Sequence, residues 1–161
     1  MKRFKAITMP QGAAGEYAKY SLNFYKGCNN GCTYCYTKRF GWGDAPTLKK
    51  CFRNENHALE CLERDIRDFG NELRQHGLFF SFTTDPMLKN TAEMTLPAVY
   101  LCAKNNVPVK ILTKTTTYFE QFLSGLIDVD WSKIAIGFTL TGHDELEPNA
   151  STNAERIEAM R

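Results

Sequence analysis

No stretch of this chain is apolar for long enough to span a membrane, and its start lacks the apolar core of a signal peptide. Charge of one sign is also missing. Twenty Lys and Arg face eighteen Asp and Glu, for a net charge of +2. That balance gives no argument from charge for a nucleic-acid or membrane partner. The short basic run Lys2, Arg3 and Lys5 reads as a solvated terminus. No repeat and no low-complexity tract interrupts the 161 residues. These absences lead to the expectation of a soluble, cytoplasmic protein with one domain over 1–161, in which residues 1–20 form an N-terminal extension. With 43% hydrophobic residues, the chain can bury a core.

Cysteine is present, and its placement is uneven. Three of the six cysteines fall in Tyr25-Lys26-Gly27-Cys28-Asn29-Asn30-Gly31-Cys32-Thr33-Tyr34-Cys35-Tyr36. The spacing is C-x3-C-x2-C with an aromatic before the third. Three thiolates on one short loop can hold three irons of a cubane cluster and leave the fourth open to another ligand. Gly27 and Gly31 allow the backbone to wrap closely around a bulky inorganic core.

Other readings of the same cysteines are a zinc site, a disulfide framework, or redox and buried thiols. Zinc cysteines come in pairs, with a second pair of ligands further on. The later candidates Cys51, His57, Cys61, His76, Cys102 and His143 form no such pair. Three cysteines within eight residues, with no signal peptide, also argue against disulfides. Cys61 and Cys102 lie in helical patterns and read as ordinary thiols. Cys51 is the spare that could reach the loop as a fourth ligand.

Residues 21–25 alternate partly and read as a first strand feeding the cysteine loop. Residues 37–53 read as loop, with Gly41, Gly43 and Pro46 as breakers. Leu59, Leu62, Ile66, Phe69 and Leu73 form one stripe of a helix over about 56–76, ended by Gly77. A strand over 78–82 precedes the turn Thr83-Thr84-Asp85-Pro86. A helix over 92–104 follows, with Leu96, Val99, Tyr100 and Ala103 on one face and Pro97 as an irregularity. Residues 108–113 read as a strand, 117–127 as a helix and 134–140 as a strand. Thr152-Asn153-Ala154-Glu155 is a capping box that opens a last helix. This alternation predicts an α/β fold: a partial TIM-like (β/α) barrel of about four parallel strands with outer helices. Four units do not close a barrel, so the chain reads as a fragment of a longer protein.

The cysteine motif with Tyr34 inside it resembles the signature of the radical S-adenosylmethionine (SAM) superfamily. Further landmarks are Asn23-x-Tyr25 before the motif, Thr84-Asp85-Pro86, Ile111-Leu112-Thr113-Lys114, and Leu146-Glu147-Pro148-Asn149-Ala150 followed by Glu155-Arg156-Ile157. Together they are most similar to the branch that includes spore photoproduct lyase, and they cover about residues 20–161. The resemblance implies a [4Fe-4S] cluster on Cys28, Cys32 and Cys35, with SAM on the open iron. It also implies lyase-like radical chemistry and an electron donor such as flavodoxin or ferredoxin. It places Tyr34 near the adenine, Thr83, Thr84 and Asp85 at the SAM amino group, Lys114 at its carboxylate, and Thr139 and Thr141 at the ribose. Glu147 would bind ribose or brace its turn. Spore photoproduct lyase carries a hydrogen-donating cysteine where this chain has Phe82-Thr83-Thr84-Asp85, which leaves the substrate unassigned, with nucleic acid one candidate. The rival classes are a non-enzymatic iron–sulfur protein and a zinc-binding module.

Overall fold

The computed structural model describes residues 3–42 and 48–161. Lys2, Gly43 and Pro46 lie outside them. The main sheet contains β1 (Ile7–Thr8), β2 (Ser21–Leu22), β5 (Leu78–Phe80), β6 (Val109–Thr113) and β7 (Ile134–Phe138). These strands lie side by side in the order β1-β2-β5-β6-β7. The pairs β2–β5, β5–β6 and β6–β7 are parallel, and β1 adds antiparallel to β2 through Ile7↔Leu22 and Thr8↔Ser21. The four expected parallel strands are therefore present in one open sheet, with an antiparallel edge strand supplied by the N-terminal extension.

Tyr25 does not belong to the first strand. It begins β3 (Tyr25–Lys26), which pairs antiparallel with β4 (Lys49–Lys50) as a separate two-stranded ribbon. The reading of 37–53 as plain loop is corrected on the same ground, since a 3-10 turn covers Tyr36–Phe40 and β4 lies near its end. Strands of two residues carry no periodicity, because an alternation needs about four residues to show.

Helices pack outside the sheet. α2 (Glu55–His76) starts where Asn54 accepts a 2.8 Å bond from the His57 N–H, so a short polar side chain satisfies an orphan donor. Its buried face is Ala58, Leu62, Ile66 and Leu73, at the predicted spacing of three and four. Gly77 stops it with φ 70°, and a Cβ there would meet the Pro108 carbonyl oxygen at 2.8 Å. Only glycine fits that turn.

α3 (Lys89–Lys104) begins a turn earlier than its apolar pattern suggests. The hydroxyls of Thr91 and Thr95 bond back to the Asp85 and Pro86 carbonyls, which extends the helix into the preceding turn. Its buried face is Met94, Ala98, Val99 and Cys102, while Tyr100 is exposed and Pro97 sits inside the helix. α4 (Phe119–Gly125) and α5 (Asn153–Ala159) complete the set, and Thr152 and Glu155 form the expected capping box. The core joins Leu22, Phe80, Val109 and Ile111 of the sheet to Leu62, Ile66, Val99 and Cys102 of the helices.

Candidate active site

The cysteine loop and the segments that follow β5, β6 and β7 meet at the C-terminal ends of the parallel strands. Strand carbonyls and loops converge there, so side chains from distant sequence positions share one space. A cavity of about 360 Å³ opens at that end, lined by Cys28, Cys32, Cys35, Thr84, Lys114 and Thr139, among others. Tyr34, Tyr36, Phe79 and Phe82 supply aromatic walls.

The cysteine loop is fastened to the rest of the chain at several points. Gly31 takes φ +68°, and a Cβ on it would lie 3.0 Å from Asn149 Nδ2 and 3.3 Å from Pro148 Cγ. Its glycine therefore permits both the turn and the close approach. The Thr33 N–H donates to the Leu146 carbonyl at 2.9 Å, and the Asn149 N–H to the Asn30 carbonyl at 3.2 Å.

Asp85 fastens the other side. Its Oδ1 accepts from the Met87 N–H (2.9 Å) and the Thr113 hydroxyl (2.6 Å). Its Oδ2 accepts from Asn30 Nδ2 and the Lys114 N–H, both at 2.8 Å. A carboxylate has about four acceptor positions, and all four are used here. Asp85 thus ties the cysteine loop to the end of β6 as a brace.

Lys114, Tyr34, Glu147 and Arg156 form a second network, fully buried at Glu147 and Arg156 and open to solvent at Tyr34. Lys114 Nζ donates to Glu147 Oε1 at 2.5 Å and to the Tyr34 hydroxyl, and that hydroxyl donates in turn to Glu147. The ammonium also stands 4.7 Å from the Tyr34 ring centre. On the far side, Arg156 Nη2 donates to Glu147 Oε2 at 2.6 Å, while Nη1 and Nε reach the carbonyls of Thr139 and Lys114. The Glu147 and Arg156 side chains are both 0% exposed.

Burial opposes ionisation of Glu147, but the bonds from Lys114, Tyr34 and Arg156 outweigh it and bring its carboxyl down to about 2. Burial likewise opposes the charge on Lys114, and the bonds to Glu147 and Tyr34 overcome it, so its pKa is raised. Burial pushes the Cys28 thiol up to about 12, with the Asp85 charge adding to it. Burial raises Cys32 too, against the pull of Lys114. Metal ligation at these thiols must therefore displace protons.

The candidate residues divide by position. Tyr34, Thr84, Lys114 and Thr139 line the cavity with the three cysteines. Thr84 Oγ1 is buried and has no hydrogen-bond partner. Asp85 reaches the cavity wall with its carboxylate already filled. Thr83 faces elsewhere: its hydroxyl donates to the Tyr25 carbonyl at 2.5 Å, and the residue lines a separate cavity. The chain bends after β5, and at that bend Thr83 and Thr84 line different cavities. Thr141 is not among the lining residues, and its backbone N–H donates to Asn153 Oδ1 at 3.1 Å. Cys51 stands in the same separate cavity as Thr83, away from the other three cysteines.

Arg156 went unassigned in the sequence, where a cation on a short surface helix reads as solvated. The signal for it in the sequence is its place in the last landmark, nine residues after Glu147. Tyr17, in α1 (Ala13–Tyr17) of the N-terminal extension, also lines the cavity and was not singled out.

Among the described residues, no three His, Cys, Asp or Glu side chains close around a single ion. A tetrahedral zinc needs its sulfurs ~3.8 Å apart, given Zn–S bonds of about 2.3 Å. A cubane takes one thiolate per iron and accepts a wider triangle. The residues fit such a cluster: three thiols from one glycine-shaped loop line one cavity, and an unbonded buried hydroxyl stands beside them. The family model of the radical SAM superfamily matches residues 22–161. The chain belongs to the radical SAM superfamily. That family consists of iron–sulfur enzymes that cleave SAM, and the match takes in the cysteine loop, Thr84, Lys114, Glu147 and Arg156 of this radical SAM chain. Searches of curated proteins and of solved structures found no match. No described helix is long and apolar enough to cross a membrane.

Proposed function

We propose that this chain is a radical SAM enzyme that holds a [4Fe-4S] cluster on Cys28, Cys32 and Cys35 and takes SAM in the cavity beside them. The observation that carries this reading is the meeting of all three thiols with Thr84 and Lys114 in one cavity at the C-terminal end of a parallel sheet. When bound, the cluster supplies the electron that splits the sulfonium bond of SAM into methionine and a 5′-deoxyadenosyl radical. The chain's own residues bind, orient and shield.

Lys114 and Arg156 carry two positive charges against the one negative charge of Glu147, so the trio keeps a surplus of one. Lys114 has three donors and spends two on Glu147 and Tyr34. The third is left for the SAM carboxylate, with Glu147 fixing the amine in place. Thr84 Oγ1 offers a second polar contact, in place of the occupied Asp85 carboxylate. Tyr34, Tyr36 and Phe82 keep water from the reacting atoms. The exposed part of Tyr34 is the surface for adenine, and Thr139, at the cavity edge, is nearer the ribose than Thr141.

The same reading makes the open sheet part of a TIM-like barrel and the chain a relative of the spore photoproduct lyase branch. The support for that branch is the order of the landmarks, which the fold gathers at one end of the sheet. An electron donor of the flavodoxin or ferredoxin type and a reducing, cytoplasmic setting follow from the cluster.

Anaerobic reconstitution with iron and sulfide tests the reading. The reduced cluster should give an EPR spectrum that SAM alters, and dithionite should release methionine and 5′-deoxyadenosine. Replacing Cys28, Cys32 or Cys35 with Ala should abolish the brown cluster absorbance, and Cys51→Ala should leave it. A cluster indifferent to SAM would make the chain an electron-transfer protein, and zinc in place of iron would make it a zinc module.

A further inference from the structure

A second cavity, of about 650 Å³, lies on the β1 side of the segment 82–84. Phe82 and Thr84 line the cysteine cavity, and Thr83 lines this one. Its walls hold Arg3, Lys5 and Lys26, with apolar surface from Phe4, Met9 and Phe52, and no Asp or Glu lines it among the described residues.

Three features bear on the placement of these cations. The basic N-terminal run is anchored through its backbone: buried Asp65 accepts from the N–H groups of Lys5 (2.8 and 2.9 Å), Ala6 (2.7 Å) and Ile7 (3.0 Å). Arg3 and Lys5 are exposed, as expected of a solvated terminus, and both also line this cavity. Lys26 is held with its ammonium 4.7 Å from the Trp42 ring centre. The β3–β4 ribbon then sets Lys26 directly opposite Lys49.

Like charges directly opposite on an antiparallel pair repel and destabilise it. The neighbouring Lys50 is relieved by Glu55 at 2.6 Å. Lys26 and Lys49 have no such carboxylate among the described ion pairs, and Lys26 lines the cavity. An arrangement that concentrates cations beside an apolar floor, and leaves an opposed lysine pair with no carboxylate between them, suits an anion with an apolar body.

We propose that this cavity binds a small organic phosphate, with its phosphate at Lys5 and Lys26 and its apolar part against Phe4 and Phe52. A phosphate carries nearly two negative charges at neutral pH and three acceptor oxygens, which matches several separate cations better than a lone carboxylate would. The site is independent of the cluster and of SAM. Its failure would leave the radical SAM reading untouched.

Calorimetric titration of the full, cluster-loaded chain tests it with phenyl phosphate as the probe and phenol and inorganic phosphate as controls. Phenyl phosphate should bind, phenol should not, and inorganic phosphate should bind more weakly than phenyl phosphate. Lys5→Gln and Lys26→Gln should each weaken binding by about tenfold or more, the loss of one charge-assisted bond. Lys5→Arg and Lys26→Arg should largely retain it, which guards against a folding defect in the Gln variants. Lys114→Gln, in the other cavity, should not alter it. Absence of phenyl phosphate binding overturns the proposal. So does equal binding by the wild type and both Gln variants, or loss of binding in Lys114→Gln. A single-stranded oligonucleotide that binds through Lys5 and Lys26 while phenyl phosphate does not would also overturn it, in favour of a nucleic-acid surface.

Discussion

The two buried regions of this molecule are built on opposite principles. Between the sheet and α2–α3, burial is apolar: Leu62, Leu73, Val99 and Ile111 are almost fully enclosed and need only fill space. At the C-terminal ends of the strands, burial is polar: Glu147 and Arg156 are as deeply enclosed, Asp85 is buried beside them, and each is tied to named partners. Apolar packing has no direction, so volume decides whether a substitution is tolerated. A buried charge has direction and partners, and removing one partner strands the other. The first region makes the fold stable, and the second decides where the cysteine loop lies.

The largest expected effect would break this comparison most directly. Arg156→Met keeps much of the side-chain bulk but leaves Glu147 without its guanidinium, and should cost about 3–5 kcal/mol in chemical denaturation. Leu62→Met, in the apolar region, should cost less than about 1.5 kcal/mol, whereas Leu62→Ala should cost about 2–5 kcal/mol through the cavity it opens. If Arg156→Met proves as mild as Leu62→Met, the two regions do not differ as described.

The pH dependence of stability sharpens it next. The Glu147 carboxyl is held down to about 2 in the folded chain, below its ordinary value of 4.5. A depressed folded value means the contribution is full above the unfolded pKa and is lost as pH falls toward the folded one. Between about pH 5 and pH 2 the wild type should therefore lose roughly 3 kcal/mol that Glu147→Gln does not lose, at about 1.4 kcal/mol per pKa unit. Parallel acid unfolding curves for the two proteins would refute this.

A smaller effect concerns ligand rather than fold. Lys114→Ala should weaken SAM binding by about ten- to a hundredfold, the worth of a charge-assisted bond of roughly 1.5–3 kcal/mol, while the cluster absorbance persists. Loss of the cluster in that variant would make Lys114 a structural member of the loop instead. The smallest effect is at the docking point of the loop. Gly31→Ala forces a Cβ at φ +68° against Asn149, and should cost about 1–2 kcal/mol of stability. Its cluster should load more slowly than in the wild type, since the same loop carries the ligands.

Much of the apolar region was legible in the residue order. The stripe of α2, the stop at Gly77 and the capping box of α5 follow from local spacing and local chemistry, and the structure shows them at nearly the same positions. Tyr100 is exposed because the inner face of α3 runs through Thr91, Met94, Thr95, Ala98 and Cys102, where threonines and small residues carry little apolar signal. β1 and the β3–β4 ribbon escaped notice because two-residue strands exist only through their partners. In the site, Thr84 and Thr83 could not be told apart until the chain direction at that turn was known. Asp85 lines the cysteine cavity as expected, and only the fold shows that its carboxylate also has four donors.

The sequence by itself determined the cysteine motif, the α/β alternation and the order of the landmarks, because each depends on spacing along one chain. Only the tertiary structure decided which landmarks act together. It closed Lys114, Tyr34, Glu147 and Arg156 into one network across more than a hundred residues, filled the Asp85 carboxylate with structural bonds, and moved Cys51 and Thr83 into a second, cationic cavity. The reason is physical. Covalent order sets what a residue can do, whereas long-range burial sets which donors and charges it meets, and a buried polar group takes its role from those partners.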